Sequence, residues 1–435
     1  IDGGDDQDKI VLTFGGLGSR ASGGGQADYL VVWATPGADE VDIQPAARAG
    51  DTVEIAPPTT HAPIYDGGVE TGVCIAGDGA DYLEVHEMQT TGVDTLEFDL
   101  GGNDGDADKV KLNGDDGLDD RFVLLPEQPN ETTRSFDKIR VDRSVSGNST
   151  YDYSLILGGT NRSQGDAIKI ETFGGADTVD AGAVGGDQEL DLTTVGLVTF
   201  RDADKIAIEI VTGDGEDTLI GSAYNDILNG GDDSDRYTGG DGFDRFFDSG
   251  GDEDTLVETF DRDMGLFDDT FVVGNVTSPT GGPFGLFDPV TQDYLEGEFT
   301  VDDPDLRFPY FGDYWTSATI VEDLKFIFEE AELRGGEGRN VMVVGDSDGE
   351  IRVGNTTRQV RPWTGAVSLD NGTNNENAYP EYYIAIAVGE NRARISIQDS
   401  GGNDMLLVFG TNDADRIQLN AAGNGAVRTG FITAG

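Results

Sequence analysis

Residues 212–257 read TGDGEDTLIGSAYNDILNGGDDSDRYTGGDGFDRFFDSGGDEDTLV. Cut into nines, the stretch gives four blocks in register: 212–220, 221–229, 230–238 and 239–247. Their sixth positions are Asp217, Asp226, Asp235 and Asp244, and their eighth positions are Leu219, Leu228, Tyr237 and Phe246. A short strand with one inward apolar side chain, followed by a glycine-rich turn, satisfies this pattern, because Gly enters the φ > 0 conformations that tight turns require. Two blocks then make one coil of a parallel roll, so each block stacks on the one after next. Turn 213–217 lies against 230–235, and turn 221–226 against 239–244. The carboxylates brought together this way are Asp214, Asp217, Asp226, Asp232, Asp235, Asp241 and Asp244. Stacked with nothing between them they repel. A hard cation that takes about six to eight oxygen ligands from carboxylates and turn carbonyls removes the conflict.

The repeat resembles the RTX, or haemolysin-type, family of calcium-binding nonapeptide-repeat proteins, which are secreted or surface-bound. The resemblance implies a Ca²⁺-binding β-roll over 212–257, with Ca²⁺ as the cofactor of the acidic turns. The copies depart from the pattern in three places. Ser222, Ala223 and Tyr224 replace small turn residues in the second block, and Asp233 stands where Gly is expected in the third. After Asp244 the register slips by one, so that Asp254 rather than Glu253 carries the next Asp-x-Leu phrase. Cation sites are therefore expected at 212–244 and not beyond.

A chain of 435 residues carries 84 acidic against 28 basic side chains, a formal net charge of −56. That charge excludes nucleic acid as a partner, since phosphates are repelled, and it destabilises a compact fold unless cations offset it. Adaptation to high salt is a second reading of the same charge, ranked lower because the Asp residues concentrate in turns. Cys74 is the single cysteine, so no disulfide forms within the chain, and it reads as a small buried hydrophobe. No apolar run approaches membrane-spanning length. Both ends of the sequence are β-like, which reads as a processed product or a segment of something longer.

The phrase Asp-x-apolar-x-apolar recurs through residues 1–211, for example at Asp8, Asp28, Asp39, Asp81, Asp94, Asp108, Asp166 and Asp204. Apolar-polar alternation argues half-buried strands, and the uneven spacing suits an irregular parallel β-helix. Within it, Asp104, Asp106 and Asp108 alternate as at the start of an EF-hand loop, and they form a second candidate cation site. The glycine and distant glutamate of that loop are missing. The Gly16–Ala21 match to a dinucleotide fingerprint lacks the helix it needs, and reads as a turn.

Residues 258–340 break the pattern with aromatics and prolines, and predict an aromatic-rich insertion. It contains the one helix expected in the chain. Thr319-Ile-Val-Glu322 matches a capping box, Ile320, Val321, Leu324, Ile327, Phe328 and Ala331 fall on one side, and Gly335 closes the end. The insertion packs its own core or offers a contact surface, for a neighbouring subunit or for glycans stacking on Tyr and Trp. Residues 341–435 return to strands, with a hairpin expected around Gly389-Glu-Asn391 and Asp-led phrases at Asp404 and Asp415.

The protease and lipase motifs fail, while paired carboxylates for glycoside hydrolysis stay open, because Asp is abundant and a sequence does not fix carboxylate separation in space. Only His61 and His86 are present, and His86-Glu87 lacks the second histidine of a zinc protease helix. Gly345-Asp-Ser347-Asp-Gly349 matches a nucleophile elbow, but both histidines precede that serine and acidic neighbours disfavour an alkoxide. The expectation is an all-β, elongated parallel β-helix and β-roll solenoid with one insertion. It is a non-enzymatic, extracellular or cell-surface structural protein (surface layer, filament or adhesin) that self-associates head to tail without entering a membrane. The alternative is a non-catalytic accessory region of a larger secreted enzyme.

Overall fold

Strands alternating inward apolar and outward polar side chains set the architecture. In Ala167–Gly174 and Ala207–Asp214, Ile168, Ile170, Ile208 and Ile210 point inward and are fully or almost fully buried. The computed structural model describes residues 71–88, 93–101, 104–130, 135–145, 153–185 and 206–251 as continuous stretches. Outside these it describes the other strands named below, together with 253–254, 328–329, 363 and 365. The chain forms two compact units, Ile1–Asp254 and Thr255–Gly435.

The first unit carries two sheets. One takes Lys9–Thr13, Tyr29–Trp33, Thr71–Ile75, Thr95–Asp99, Tyr153–Gly158, Ser135–Val145, Asp120–Asn130, Thr178–Asp180, Thr218–Ile220 and Arg236–Thr238 in that spatial order. The other takes Arg20–Ser22, Ile64–Gly67, Val53–Ala56, Glu40–Pro45, Tyr82–Val85, Lys109–Asn113, Ala167–Gly174, Ala207–Asp214, Ile227–Asp232 and Asp244–Phe247. A small separate hairpin joins Gln188–Leu192 to Gly196–Phe200. Through the repeats every neighbour is parallel. Leu219 pairs with Tyr237, and Leu228 with Phe246. Each block thus sits on the one after next.

The parallel rungs stack like side chains on like. Val85, Leu112, Ile170, Ile210, Leu228 and Phe246 form one continuous column, and Phe122, Val179, Leu219 and Tyr237 another. All are 0 % exposed. Each such side chain contributes about 1.5–3 kcal/mol by leaving water. The rings of Tyr237 and Phe246 meet edge-on at 5.7 Å, tying the two columns together at the last coil.

Two features of this unit differ from a purely parallel helix. Ser135–Val145 runs antiparallel to both Asp120–Asn130 and Tyr153–Gly158, and the three are inserted between the parallel strands Thr95–Asp99 and Thr178–Asp180. Glu40–Pro45, Val53–Ala56 and Ile64–Gly67 form a second antiparallel set. Each set pairs strands that are neighbours in the chain, which satisfies backbone groups without a full coil. The second feature is a further copy of the repeat. Residues 172–180, TFGGADTVD, lie under the first block, with Phe173 beside Gly213 and Val179 beside Leu219.

Turn conformation explains the glycines. Gly213 has φ +119°, and a Cβ there would sit 1.7 Å from the carbonyl oxygen of Phe173. Asp233, in the place of an expected glycine, itself adopts φ 76°. Asp tolerates this left-handed region better than most residues.

In the second unit, Thr255–Phe260, Glu330–Gly335, Ala366–Asp370 and Ile395–Gln398 are successive parallel neighbours. Thr319–Asp323, Thr270–Gly274, Asp263–Phe267, Val341–Val344, Tyr382–Ile386 and Met405–Phe409 form the other sheet. Gly349–Val353 and Thr356–Val360 pair as a hairpin.

Among the described residues of 319–335 the expected helix is absent, Leu324 and Ile327 lying outside them. Thr319–Asp323 is a strand antiparallel to Thr270–Gly274, and Glu330–Gly335 buries Ala331 and Leu333 at alternate positions between two parallel partners. The β-branched run Thr319-Ile-Val suits a pleated sheet, and tertiary pairing overrides a capping pattern that is only a local preference. The hairpin expected around Gly389 is also absent, because Tyr382–Ile386 and Ile395–Gln398 belong to different sheets. Of the aromatic segment, Phe287–Asp288 pairs with Asp293–Tyr294, and most of its remaining residues lie outside the described ones. Among the described residues no helix is long and apolar enough to cross a membrane. Their one helical element is the short 3₁₀ turn Arg162–Gln164.

Candidate metal centre

The aspartate that closes each turn points inward, and its carboxylate meets the preceding coil. On one edge the backbone N–H of Asp120 donates to Oδ1 of Asp177, Asp177 to Asp217, Asp217 to Asp235 and Asp235 to Asp254, over 2.7–2.9 Å. On the other sheet, Asp81 donates to Asp108 at 2.8 Å, Asp108 to Asp166 at 3.0 Å, and Asp226 to Asp244 at 2.8 Å. Every one of these side chains is buried, none more than 2 % exposed. One carboxylate oxygen of each accepting aspartate is thus fixed by an N–H of the preceding coil, and the second oxygen decides the chemistry.

At some rungs the second oxygen is already occupied. Asp226 Oδ2 accepts from the N–H of Ser222 at 2.5 Å, and the Ser222 hydroxyl donates to the same carboxylate at 2.8 Å. The departure from the repeat at Ser222 therefore closes this turn with protein groups. Asp166 Oδ2 accepts from the N–H of Asn161. Asp120 Oδ2 accepts from the N–H of Asp115, while its Oδ1 takes Nε of the wholly buried Arg143 at 3.0 Å and its other guanidinium nitrogen at 2.7 Å.

At Asp108, Asp177, Asp217 and Asp235 the second oxygen, Oδ2, is buried with no hydrogen-bond partner. The Thr172 and Thr212 hydroxyls lie near Asp177 and Asp217 and lower their carboxyls somewhat, but both donate to backbone carbonyls instead. Buried polar atoms are nearly always paired, so an ordered row of such atoms calls for a missing partner. Burial pushes these carboxyls up, Asp108 and Asp217 to about 6, Asp177 to about 7 and Asp235 to about 8. Loss of hydration is the largest cause in each, and the Asp217 and Asp254 carboxylates add to it at Asp235. A hard divalent cation supplies what the row lacks: it restores charge balance and takes oxygen ligands at a spacing that turn carbonyls share. The donor set fits Ca²⁺.

The third repeat solves its packing differently from its neighbours. Buried Thr212 and Thr172 open their turns, with the Thr212 hydroxyl donating to the Gly230 carbonyl at 2.8 Å. Gly230 stands at the matching position, and its N–H donates to the hydroxyl of Tyr237 at 2.9 Å. A Cβ on Gly230 would fall 2.0 Å from Asp235 Oδ2 and 2.2 Å from the Tyr237 hydroxyl, so the larger tyrosine fills the space a threonine occupies elsewhere.

Of the residues the sequence singled out, Asp217 and Asp235 come together on one edge, and Asp226 and Asp244 on the other. Asp214, Asp232 and Asp241 lie exposed on the turns, with Asp214 and Asp232 in register and Asp232 accepting the Ser249 hydroxyl at 3.0 Å. The EF-hand-like trio divides. Asp108 turns inward as a rung, whereas Asp104 accepts from the N–H of Gly79 at 2.7 Å and of Asp106 at 3.0 Å, and Asp106 is exposed. Those bonds hold the Asp104 carboxyl below its ordinary range.

Sequence reasoning missed three residues, Asp177 on the rung below the first block, and Asp248 and Asp254 beyond the last. Among the described residues one set of three acidic side chains converges, Asp235, Asp248 and Asp254, with an oxygen of each within 4.8 Å of the others. Asp254 continues the ladder beyond the register slip, and its Asp-Thr-Leu phrase was the available signal. Asp248 carried none, being the residue that causes the slip. As for catalysis, His86 Nε2 lies 2.9 Å from Asp42 Oδ1 on the solvent side of a sheet, while His61 and Ser347 fall outside the described residues.

Parallel coils with inward aspartates at each turn define a β-roll of the calcium-binding kind. Residues 211–246 match the RTX calcium-binding nonapeptide repeat, in four copies. Comparison of the chain with curated proteins returned no match.

Proposed function

We propose that this is an extracellular, calcium-stabilised structural protein, non-enzymatic, whose β-solenoid units assemble into a surface layer, filament or adhesive array. The row of buried, half-coordinated carboxylates supports it most directly, since a dedicated cation ladder is machinery for holding a fold. Asp177, Asp217 and Asp235 would hold Ca²⁺ through Oδ2, with carbonyls of the flanking turns. The cation would cancel part of a net charge of −56 that otherwise opposes compaction. Millimolar extracellular calcium is the setting in which weak sites of this class are filled.

Self-association draws support from the sheet edges. Among the described residues, Lys9–Thr13 of the first unit and Met405–Phe409 of the second each have a strand neighbour on one side only. Strand edges of this kind recruit another chain unless covered, and a head-to-tail contact whose rotation does not close gives filaments. Negative-stain imaging of the purified chain with and without calcium tests the reading. Ordered fibres or sheets that dissolve in EGTA are expected. Dispersed monomers at high concentration in calcium would overturn assembly.

A further inference from the structure

The nonapeptide match ends at residue 246, yet the coil does not. After Phe247 one extra residue, Asp248, precedes the turn that restores the ladder at Asp254. The insertion is accommodated by Ser249, Gly250 and Gly251. The N–H groups of Ser249 and Gly250 both donate to the Gly231 carbonyl, at 3.0 and 3.1 Å, and the Asp233 N–H donates to that of Gly250 at 3.2 Å. Gly250 takes φ +150°, and a Cβ on Gly251 would sit 2.0 Å from the Asp233 carbonyl oxygen. The turn is thus pressed directly onto the preceding one, and the added residue brings a side-chain carboxylate to a place where the nine-residue repeat has none.

We infer that Asp235, Asp248 and Asp254 form a three-carboxylate site for Ca²⁺ at the last coil of the first unit, one that the nonapeptide pattern does not encode and that depends on the inserted Asp248. Two independent observations meet there. Oxygens of the three carboxylates lie within 4.8 Å of one another. Asp235 is 0 % exposed, with its Oδ1 committed to the Asp217 N–H and its Oδ2 buried without a hydrogen-bond partner. Both Asp235 Oδ2 and the Tyr237 hydroxyl crowd the same point above Gly230, which places a phenol ring beside the carboxylates. A third carboxylate raises the charge of this site above that of a two-aspartate rung, and Ca²⁺ affinity rises with ligand charge. The site is therefore the tightest of the ladder and the last to release its ion.

The inference rests on the ladder being a calcium ladder, and the test separates the two. Calcium stoichiometry and affinity are measured by titration calorimetry on the full chain, wild type, Asp248→Asn and Asp217→Asn. Tyrosine-sensitised terbium emission is measured on the same proteins and on Tyr237→Phe. Asp248→Asn is isosteric and its residue is only half-buried, so circular dichroism in calcium should stay that of the wild type. The expected result is loss of the tightest calcium site in Asp248→Asn, at least a tenfold weakening. Terbium emission should fall in both Asp248→Asn and Tyr237→Phe. Unchanged stoichiometry and affinity in Asp248→Asn, with a site lost in Asp217→Asn, would overturn this inference and leave the ladder standing. No calcium uptake by the wild type would overturn both. Should Asp248→Asn fail to fold, Tyr237→Phe decides alone: terbium emission equal to the wild type would remove the ion from beside Tyr237.

Discussion

Withdrawing calcium is expected to unfold the repeat coils of the first unit, and the structure sets the scale. Four ladder carboxylates, Asp108, Asp177, Asp217 and Asp235, keep a buried oxygen with no hydrogen-bond partner. Leaving a buried polar group unsatisfied costs about 1–3 kcal/mol, and more when it is charged. Summed over the four, the loss is roughly 4–12 kcal/mol, comparable to the ~5–15 kcal/mol total stability of an ordinary domain. For a unit of this size it corresponds to a fall in melting temperature of roughly 10–40 °C. The assay is far-ultraviolet circular dichroism with thermal melts, in millimolar Ca²⁺ and in EGTA. Ionic strength must be matched with sodium chloride, because salt alone screens a net charge of −56. Superimposable spectra and melts in the two buffers would refute the reasoning. So would full recovery in sodium chloride, which would make the acidity a matter of screening and favour adaptation to salt.

The two edges of the roll should respond differently to mutation. Asp217→Asn removes an oxygen with no hydrogen-bond partner and should weaken calcium binding at least tenfold at one site, whereas Asp226→Asn, whose carboxylate Ser222 already satisfies, should lower stability by about 1–3 kcal/mol with calcium stoichiometry unchanged. Calorimetry and melting curves on both variants check this. The pH dependence should invert with calcium. In EGTA the raised carboxyls of Asp177, Asp217 and Asp235 bind protons more tightly folded than unfolded. Their contribution is complete below about pH 4 and is lost as pH rises through about 6–8, so the calcium-free melting temperature should be higher at pH 5 than at pH 8. In calcium the order should reverse, since protons compete with the ion. Arg143→Met strands the Asp120 carboxylate in the interior and should cost about 3–5 kcal/mol in calcium and EGTA alike. Adding Asp120→Asn should recover part of that loss, and melting curves of the single and double variants read it directly.

The pairing of Leu219 with Tyr237 and Leu228 with Phe246 was legible in the sequence, because a fixed nine-residue period leaves one way to put every eighth residue inside. The acidic turns were legible for the same reason, as were the half-buried strands of the N-terminal region. Two local readings failed. The apolar spacing across 319–335 satisfies a helix as well as two strands, and only the partners on either side of Ala331 and Leu333 choose between them. Tyr382–Ile386 and Ile395–Gln398 look like a hairpin when each strand is read against its neighbour in the chain, yet each pairs within a different sheet. The candidate site divides along the same line. Aspartate at the sixth position is a property of the repeat, but which oxygen it leaves without a partner depends on groups that arrive through space. Ser222 closes Asp226 from within its own turn, Arg143 reaches Asp120 from an inserted antiparallel strand, and Asp248 joins Asp235 and Asp254 because one extra residue bulges where two coils touch. Period and composition are covalent and can be read along the chain. The second hydrogen bond of a buried carboxylate is settled only by what the fold brings beside it.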